Sequence, residues 1–153
     1  MAKIYVASSW RNEHQPPVVQ ILRDHCHAVY DFRKPPGGTG FAWGTIDSNW
    51  KNWTAVQDIR ALKNPTAVSG YKSDMKAMEW ADACVLVLPC GRSAHLEAGW
   101  FAGKASSHGK ALYILTRDGE EPELMASMAD GIFVSMREIL EAIEKRFGEG
   151  MKQ

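Results

Sequence analysis

Ala83-Cys84-Val85-Leu86-Val87-Leu88, followed by Pro89-Cys90-Gly91-Arg92-Ser93 and a helical stretch from about Ala94 to Ala102, decides the fold class. A strand that is apolar on both faces must be covered on both faces, as a central strand of a parallel sheet is. The same strand, loop and helix unit recurs on either side of it. Toward the N-terminus, Ile4 to Ala7 is an apolar run ending in Ser8-Ser9. Val18, Ile21, Leu22 and His25 then recur at helical spacing after Pro16-Pro17, a pair tolerated only in a first turn. Ala28 to Phe32 reads as a second strand. Arg33 to Thr45, with Pro35-Pro36-Gly37-Gly38 and Gly40, reads as a long glycine-rich aromatic loop. Trp53, Val56, Ile59 and Leu62 share a face of a helix that ends near Asn64-Pro65, and Ser73 is placed to cap another running to about Asp82. Toward the C-terminus come a fourth strand (Lys110 to Thr116), a short helix (Glu121 to Met128), a fifth strand (Ile132 to Ser135) and a terminal amphipathic helix (Met136 to Phe147). The pattern predicts an α/β protein with a doubly wound five-stranded parallel sheet, helices on both faces, flavodoxin-like or Rossmann-like. One domain over 1–153 is expected, with its ligand site beyond the carboxyl ends of the strands.

Composition narrows the function classes. The chain has 153 residues, enough to bury a core without staples, and Lys plus Arg and Asp plus Glu both count 18. With zero formal net charge there is no overall field to hold a nucleic-acid polymer. The three cysteines, Cys26, Cys84 and Cys90, have no CxxC spacing, so a disulfide framework is not expected. No segment reaches the ~20 apolar residues that span a bilayer, and the N-terminus lacks a signal-like apolar region. A cytoplasmic protein without membrane partners is the expectation. The five histidines follow no metal-ligand spacing, so neither metal nor cofactor is expected.

The predicted loops hold the chemistry. Ser8-Ser9-Trp10-Arg11 follows the first strand and precedes a helix, where hydroxyls and backbone N–H groups bind a phosphate or sugar hydroxyl, or simply form a turn and cap. It contains no GxGxxG, so a dinucleotide fingerprint is absent. Gly91, Arg92 and Ser93 open a helix whose free N–H groups and dipole favour an anion, and His95 is expected in the same crevice. Glu97 is expected in the first turn, ionised, as a nucleophile or charge stabiliser or merely as a complement to the dipole. Asp74 is expected near the start of its helix, either capping the turn or facing the strand ends. Two carboxylates at one crevice are what glycosidic chemistry uses. Phe41, Trp43, Trp50 and Trp53 are either a small core under a loop or a surface that stacks on a planar base.

These stretches together resemble the nucleoside 2-deoxyribosyltransferase family and its relatives that hydrolyse nucleoside 5'-monophosphates. Lys3-Ile4-Tyr5-Val6-Ala7-Ser8 is similar to the family's opening strand and substrate loop, and Asp74, eight residues before Asp82, to its internal aspartate motif. Gly91 to Gly99 resembles the loop and helix of the catalytic glutamate. Glu121-Pro122-Glu123-Leu124-Met125 resembles the segment that reaches into a neighbouring subunit's site. The resemblance implies Glu97 as nucleophile at the anomeric carbon, Asp74 assisting departure of the base, and Tyr5 orienting Glu97. It implies Ser8, Arg11, Gly91 and Ser93 as holders of the sugar or its 5'-phosphate, with Ser9, Arg92 and His95 beside them. Phe41 and Trp43 become a wall for the base, and Glu123 comes from the partner of a homodimer or higher oligomer. Two positions depart from the family. Gly91 stands where transferases place an aspartate that contacts the sugar, leaving room for a phosphate or a bulkier sugar. Glu123 stands where relatives present asparagine or serine. The expectation is an enzyme that cleaves the N-glycosidic bond of a nucleoside 5'-monophosphate, with base exchange between nucleosides, or non-catalytic nucleotide binding, as alternatives.

Overall fold

The computed structural model describes residues 1–121 and 123–148; Pro122 of the segment likened to an intersubunit arm, and 149–153 of the expected domain, lie outside the described residues. Five strands, β1 (Lys3–Ala7), β2 (Ala28–Asp31), β3 (Ala83–Val87), β4 (Ala111–Leu115) and β5 (Gly131–Phe133), form one sheet in the order β2-β1-β3-β4-β5. All four pairings are parallel. The helices are α1 (Gln15–Asp24), α2 (Ala55–Ala61), α3 (Pro65–Trp80), α4 (Arg92–His108) and α5 (Met136–Phe147). Every residue of β3 is buried, as its two-faced apolarity requires.

Strand alternation divides the core into two layers. Ile4, Val6, Val85 and Tyr113 pack with Val18, Leu22, Ile139 and Ile143 of α1 and α5. Tyr5, Ala7, Cys84, Leu86 and Leu112 face the opposite way, onto Met78 of α3 and Ala94, Ala98 and Phe101 of α4. The chain leaves β1 toward β2 on one side and returns to β3 on the other. The switch point is therefore at the carboxyl ends of β1 and β3, where a crevice opens in such sheets. Among the described residues no helix is long and apolar enough to cross a membrane.

Three expectations change. Helix α2 ends just before Asn64-Pro65 as expected, but Pro65 also opens α3, because the Asn64 side chain accepts from the Thr66 N–H (2.9 Å) and proline fits a first turn. Ser73 is therefore mid-helix and caps nothing, and Asp74 lies in the third turn rather than near a start. Helix α4 begins at Arg92, so Glu97 is in its second turn, beyond the first-turn N–H groups. The chain at Leu124–Met128 is a 3-10 turn and not an α-helix. Helix α2 is capped by Thr54 and Gln57 in a capping box, but its apolar face, Val56, Ile59 and Leu62, is exposed.

Candidate active site

Parallel register sets Tyr5 opposite Tyr30 on one side and Cys84 on the other, and Cys84 opposite Leu112. These four side chains make one row beneath α3 and α4. The Tyr5 and Tyr30 rings stack with centroids 5.3 Å apart and planes 14° apart, and Phe101 of α4 leans on Tyr5 at 5.9 Å. Each helix adds one carboxylate to this row, Asp74 from α3 and Glu97 from α4. The Tyr30 hydroxyl donates to Asp74 Oδ1 (2.8 Å) and sits 3.1 Å from Ser73 Oγ. The Tyr5 hydroxyl is buried and has no hydrogen-bond partner among the described residues.

Burial dominates the electrostatics. It pushes the Glu97 carboxyl up to about 7, and the nearby charge of Asp74 adds to the rise. The Tyr5 hydroxyl lies close enough to oppose that rise without meeting the geometry of a hydrogen bond. Asp74 is also raised, by burial that outweighs the bond from Tyr30. The expectation that Glu97 simply stays ionised is thus corrected: in the second turn, desolvation acts on it with little help from the helix terminus. Neither nearby thiol is a nucleophile at neutral pH. Burial pushes Cys84 well up, and burial with the charge of Glu97 pushes Cys90 up to about 11.

Three loops surround the carboxylates, and two residues absent from the sequence expectations knit them together. Asn12, 4% exposed, donates through Nδ2 to Ser8 Oγ (3.0 Å), Val87 O (3.2 Å) and Pro89 O (3.1 Å), and accepts from the His14 N–H (2.9 Å). It ties the loop after β1 to the loop after β3. Arg33 Nη2 donates to the carbonyls of Ser9 (3.0 Å), Trp10 (2.8 Å) and Asn12 (2.9 Å), tying the same loop to the root of the aromatic loop. Trp10 Nε1 donates to Phe41 O (3.1 Å). Gly40 passes beneath the Trp10 ring so closely that a Cβ would meet it at 2.6 Å and Phe32 O at 2.3 Å.

The expected ligand-holding residues divide accordingly. Ser8 spends its hydroxyl on Val87 O (2.8 Å), and Ser9 Oγ accepts from the Arg11 N–H (3.2 Å), so both side chains serve the loop itself. Arg11 and Arg92 are exposed, and their guanidinium groups have no ion pair or hydrogen bond among the described residues. Gly91, the N-cap of α4, provides no side-chain cap, so the first-turn N–H groups at Arg92 and Ser93 stay open to an anion. Phe41 packs on α3 at Gly70, where a Cβ would be 3.0 Å from its own Cβ. Asp74 is one helical turn further on the same face, so the aromatic loop stands next to it. Trp43 packs edge-on against Phe41 (4.7 Å) and Trp53 (5.8 Å), and Trp53 Nε1 donates to Asp47 (2.7 Å). The aromatics form a small core of their own, and Phe41 and Trp43 remain partly exposed.

His95 and Glu123 are not brought to the carboxylates. One position along α4 separates side chains by about 100°, so His95 points to the other flank of the helix. There it lines a cavity of about 750 Å³ with Leu112, Ile114, Met125 and Ile132, and Glu123 stands in the same wall. The cavity exists because only a 3-10 turn separates β4 from β5, leaving their α4 side uncovered. Register, more than residue type, identified Tyr30. Asn12 and Arg33 follow directly on stretches already singled out, but nothing in the sequence shows which carbonyls they reach.

No protein-family model and no curated protein matches this chain. Among solved structures it is similar to a 2-deoxyribosyltransferase from the psychrotolerant bacterium Bacillus psychrosaccharolyticus, at 22% identity and a TM-score of 0.57, with 90% of each chain covered. The fold is that of a 2-deoxyribosyltransferase. At this identity the likeness establishes the five-stranded parallel architecture and not the substrate.

Proposed function

We propose that this chain is an enzyme that cleaves the N-glycosidic bond of a nucleoside 5'-monophosphate, with Glu97 as nucleophile and Asp74 as acid and base. The observation that supports the reading most is the meeting of two raised carboxylates over a stacked tyrosine pair, with open helix N–H groups and two unpaired arginines at the rim. The ionised Glu97 attacks the anomeric carbon; the C–N bond breaks, its electron pair goes to the base nitrogen, and the proton of Asp74 neutralises the departing base. Asp74, now ionised, takes a proton from water as the water oxygen attacks the glycosyl ester. The sugar phosphate leaves with retained configuration and Glu97 is restored. One proton between two raised carboxylates suits both roles near neutrality. Base release is expected to follow a bell-shaped pH profile, because the active form holds one proton between the two raised carboxylates: the rate rises as the pair loses its first proton and falls as it loses its second.

Gly91 and the open N–H groups favour a 5'-phosphate, which Arg11 and Arg92 would pair with by charge-assisted hydrogen bonds. Release of free base from matched nucleosides and 5'-monophosphates, followed by chromatography, tests this. Monophosphates are expected to react at least about tenfold faster, a preference lost when Arg11 and Arg92 are both replaced by alanine. Equal rates, with an exchanged nucleoside formed when a second free base is added, would instead support a transferase.

The uncovered β4–β5 side exposes Leu124, Met125, Met128, Ile132 and Val134. An apolar surface of this kind fits association with a second copy, which would carry Glu123 toward the neighbour's crevice. Sedimentation is expected to give a dimer or larger at micromolar concentration; a monomer with full base-releasing activity would contradict it.

A further inference from the structure

The crevice holds two tyrosines, and their hydroxyls are used differently. Tyr5 and Tyr30 stack as one slab on neighbouring strands, and the Tyr30 hydroxyl is placed toward Asp74. That of Tyr30 is engaged: it donates to Asp74 Oδ1 at 2.8 Å, with Ser73 Oγ at 3.1 Å as its other neighbour. That of Tyr5, beside Glu97, is buried and unpartnered. We propose that Tyr30 is a positioning residue that, by fixing the Asp74 carboxylate, decides which of the two carboxylates holds the proton between them.

A hydroxyl that donates to a carboxylate favours the charged form of that carboxylate. The groups facing the pair are Tyr5 from β1, Tyr30 from β2, Ser73 beside Asp74 on α3, Cys84 from β3 and Cys90 from the loop before α4. Among the described residues no cation acts on either carboxylate. With no cation to neutralise them, two desolvated carboxylates favour a shared proton, and hydrogen bonds from uncharged donors decide where it rests. The Tyr30 bond favours the charged form of Asp74 against the burial that raises it, and so biases the shared proton toward Glu97. If the Tyr5 hydroxyl turns to donate to Glu97, the balance shifts the other way. The proton then moves to Asp74, and Glu97 is left charged for attack. This inference rests on the proposed chemistry for its consequence, but not for its test.

The test is a carbon-13 NMR titration of the side-chain carboxyls in the full chain. In the wild-type protein Glu97 is expected to titrate near 7 and Asp74 above the ordinary carboxylate range. In Tyr30→Phe the Asp74 titration should move up by about one pH unit and that of Glu97 down, because loss of the donor returns the proton to Asp74. Tyr5→Phe should move the two in the opposite sense, Glu97 up and Asp74 down. If Tyr30→Phe does not fold, 3-fluorotyrosine at position 30, a stronger donor of nearly the same shape, should move Asp74 down and Glu97 up. The inference is overturned if removing or strengthening the Tyr30 donor leaves both titrations in place or moves them in the same direction. Should no substrate be cleaved, the titrations still decide it. Where base is released, the pH–rate profile of Tyr30→Phe should shift with KM unchanged, whereas a merely structural role would leave the profile in place.

Discussion

Glu97→Gln is expected to lose base release by about three powers of ten or more, because an amide cannot form the glycosyl ester. The same change should stabilise the protein above neutral pH. Its carboxyl is raised from 4.5 to about 7 in the folded chain. Between those values the folded state holds a proton that the unfolded state has released, so the contribution of Glu97 to stability falls as pH rises through that window. Above about 7 the full penalty applies. At ~1.4 kcal/mol per pH unit it is at most about 3.5 kcal/mol, and it is shared with Asp74. Glutamine removes the charge and keeps the shape. Thermal unfolding at pH 8 should therefore show a melting temperature about 4 to 8 °C higher than wild type, and the difference should vanish near pH 4.5. Equal melting temperatures at both pH values would mean that Glu97 is solvated.

Asn12→Ala is the second large effect. Four hydrogen bonds are lost at once, those to the Ser8 hydroxyl, to the carbonyls of Val87 and Pro89, and from the His14 N–H. Each buried polar group left unpaired costs about 1 to 3 kcal/mol, but Val87 O keeps the Ser8 hydroxyl and water can reach Pro89. A net loss of about 2 to 4 kcal/mol in denaturant unfolding is expected. The two loops that Asn12 joins carry the groups proposed to hold the phosphate, so KM should rise by about one to two powers of ten with a smaller change in kcat. A variant with wild-type stability would show that the loops are held by their own backbone; an unchanged KM would show that they do not contact substrate.

Regular elements were legible wherever one signal dominated. The two-faced run Ala83–Val87 and the amphipathic helix Met136–Phe147 stand where their patterns put them. Misreadings arose where one residue has opposite meanings. Pro65 marks a helix end when viewed from the apolar stripe before it and also opens a helix when viewed from the Asn64 cap, and only the cap geometry shows the second. The error moved Asp74 from a capping position into the third turn. Beginning α4 two residues earlier likewise moved Glu97 from a helix end, where a carboxylate is stabilised, to a buried site where it is not. Two carboxylates were therefore identifiable by residue, but their protonation was not, because desolvation depends on the strands beneath. Tyr30 gives the plainest case. As a strand aromatic it is unremarkable, and it becomes a neighbour of Asp74 only when β2 pairs with β1 in the register that stacks it on Tyr5.

The central proposal is that Glu97 bonds covalently to the sugar. The most direct measurement is intact and peptide mass spectrometry after incubation with a 2'-deoxy-2'-fluoro-arabinosyl nucleoside 5'-monophosphate, whose electron-withdrawing fluorine slows release of the ester. The expected result is a single glycosyl phosphate adduct mapped to Glu97, formed together with one equivalent of free base and absent from Glu97→Gln. Base release with no adduct, or an adduct on another residue that persists in Glu97→Gln, would contradict it.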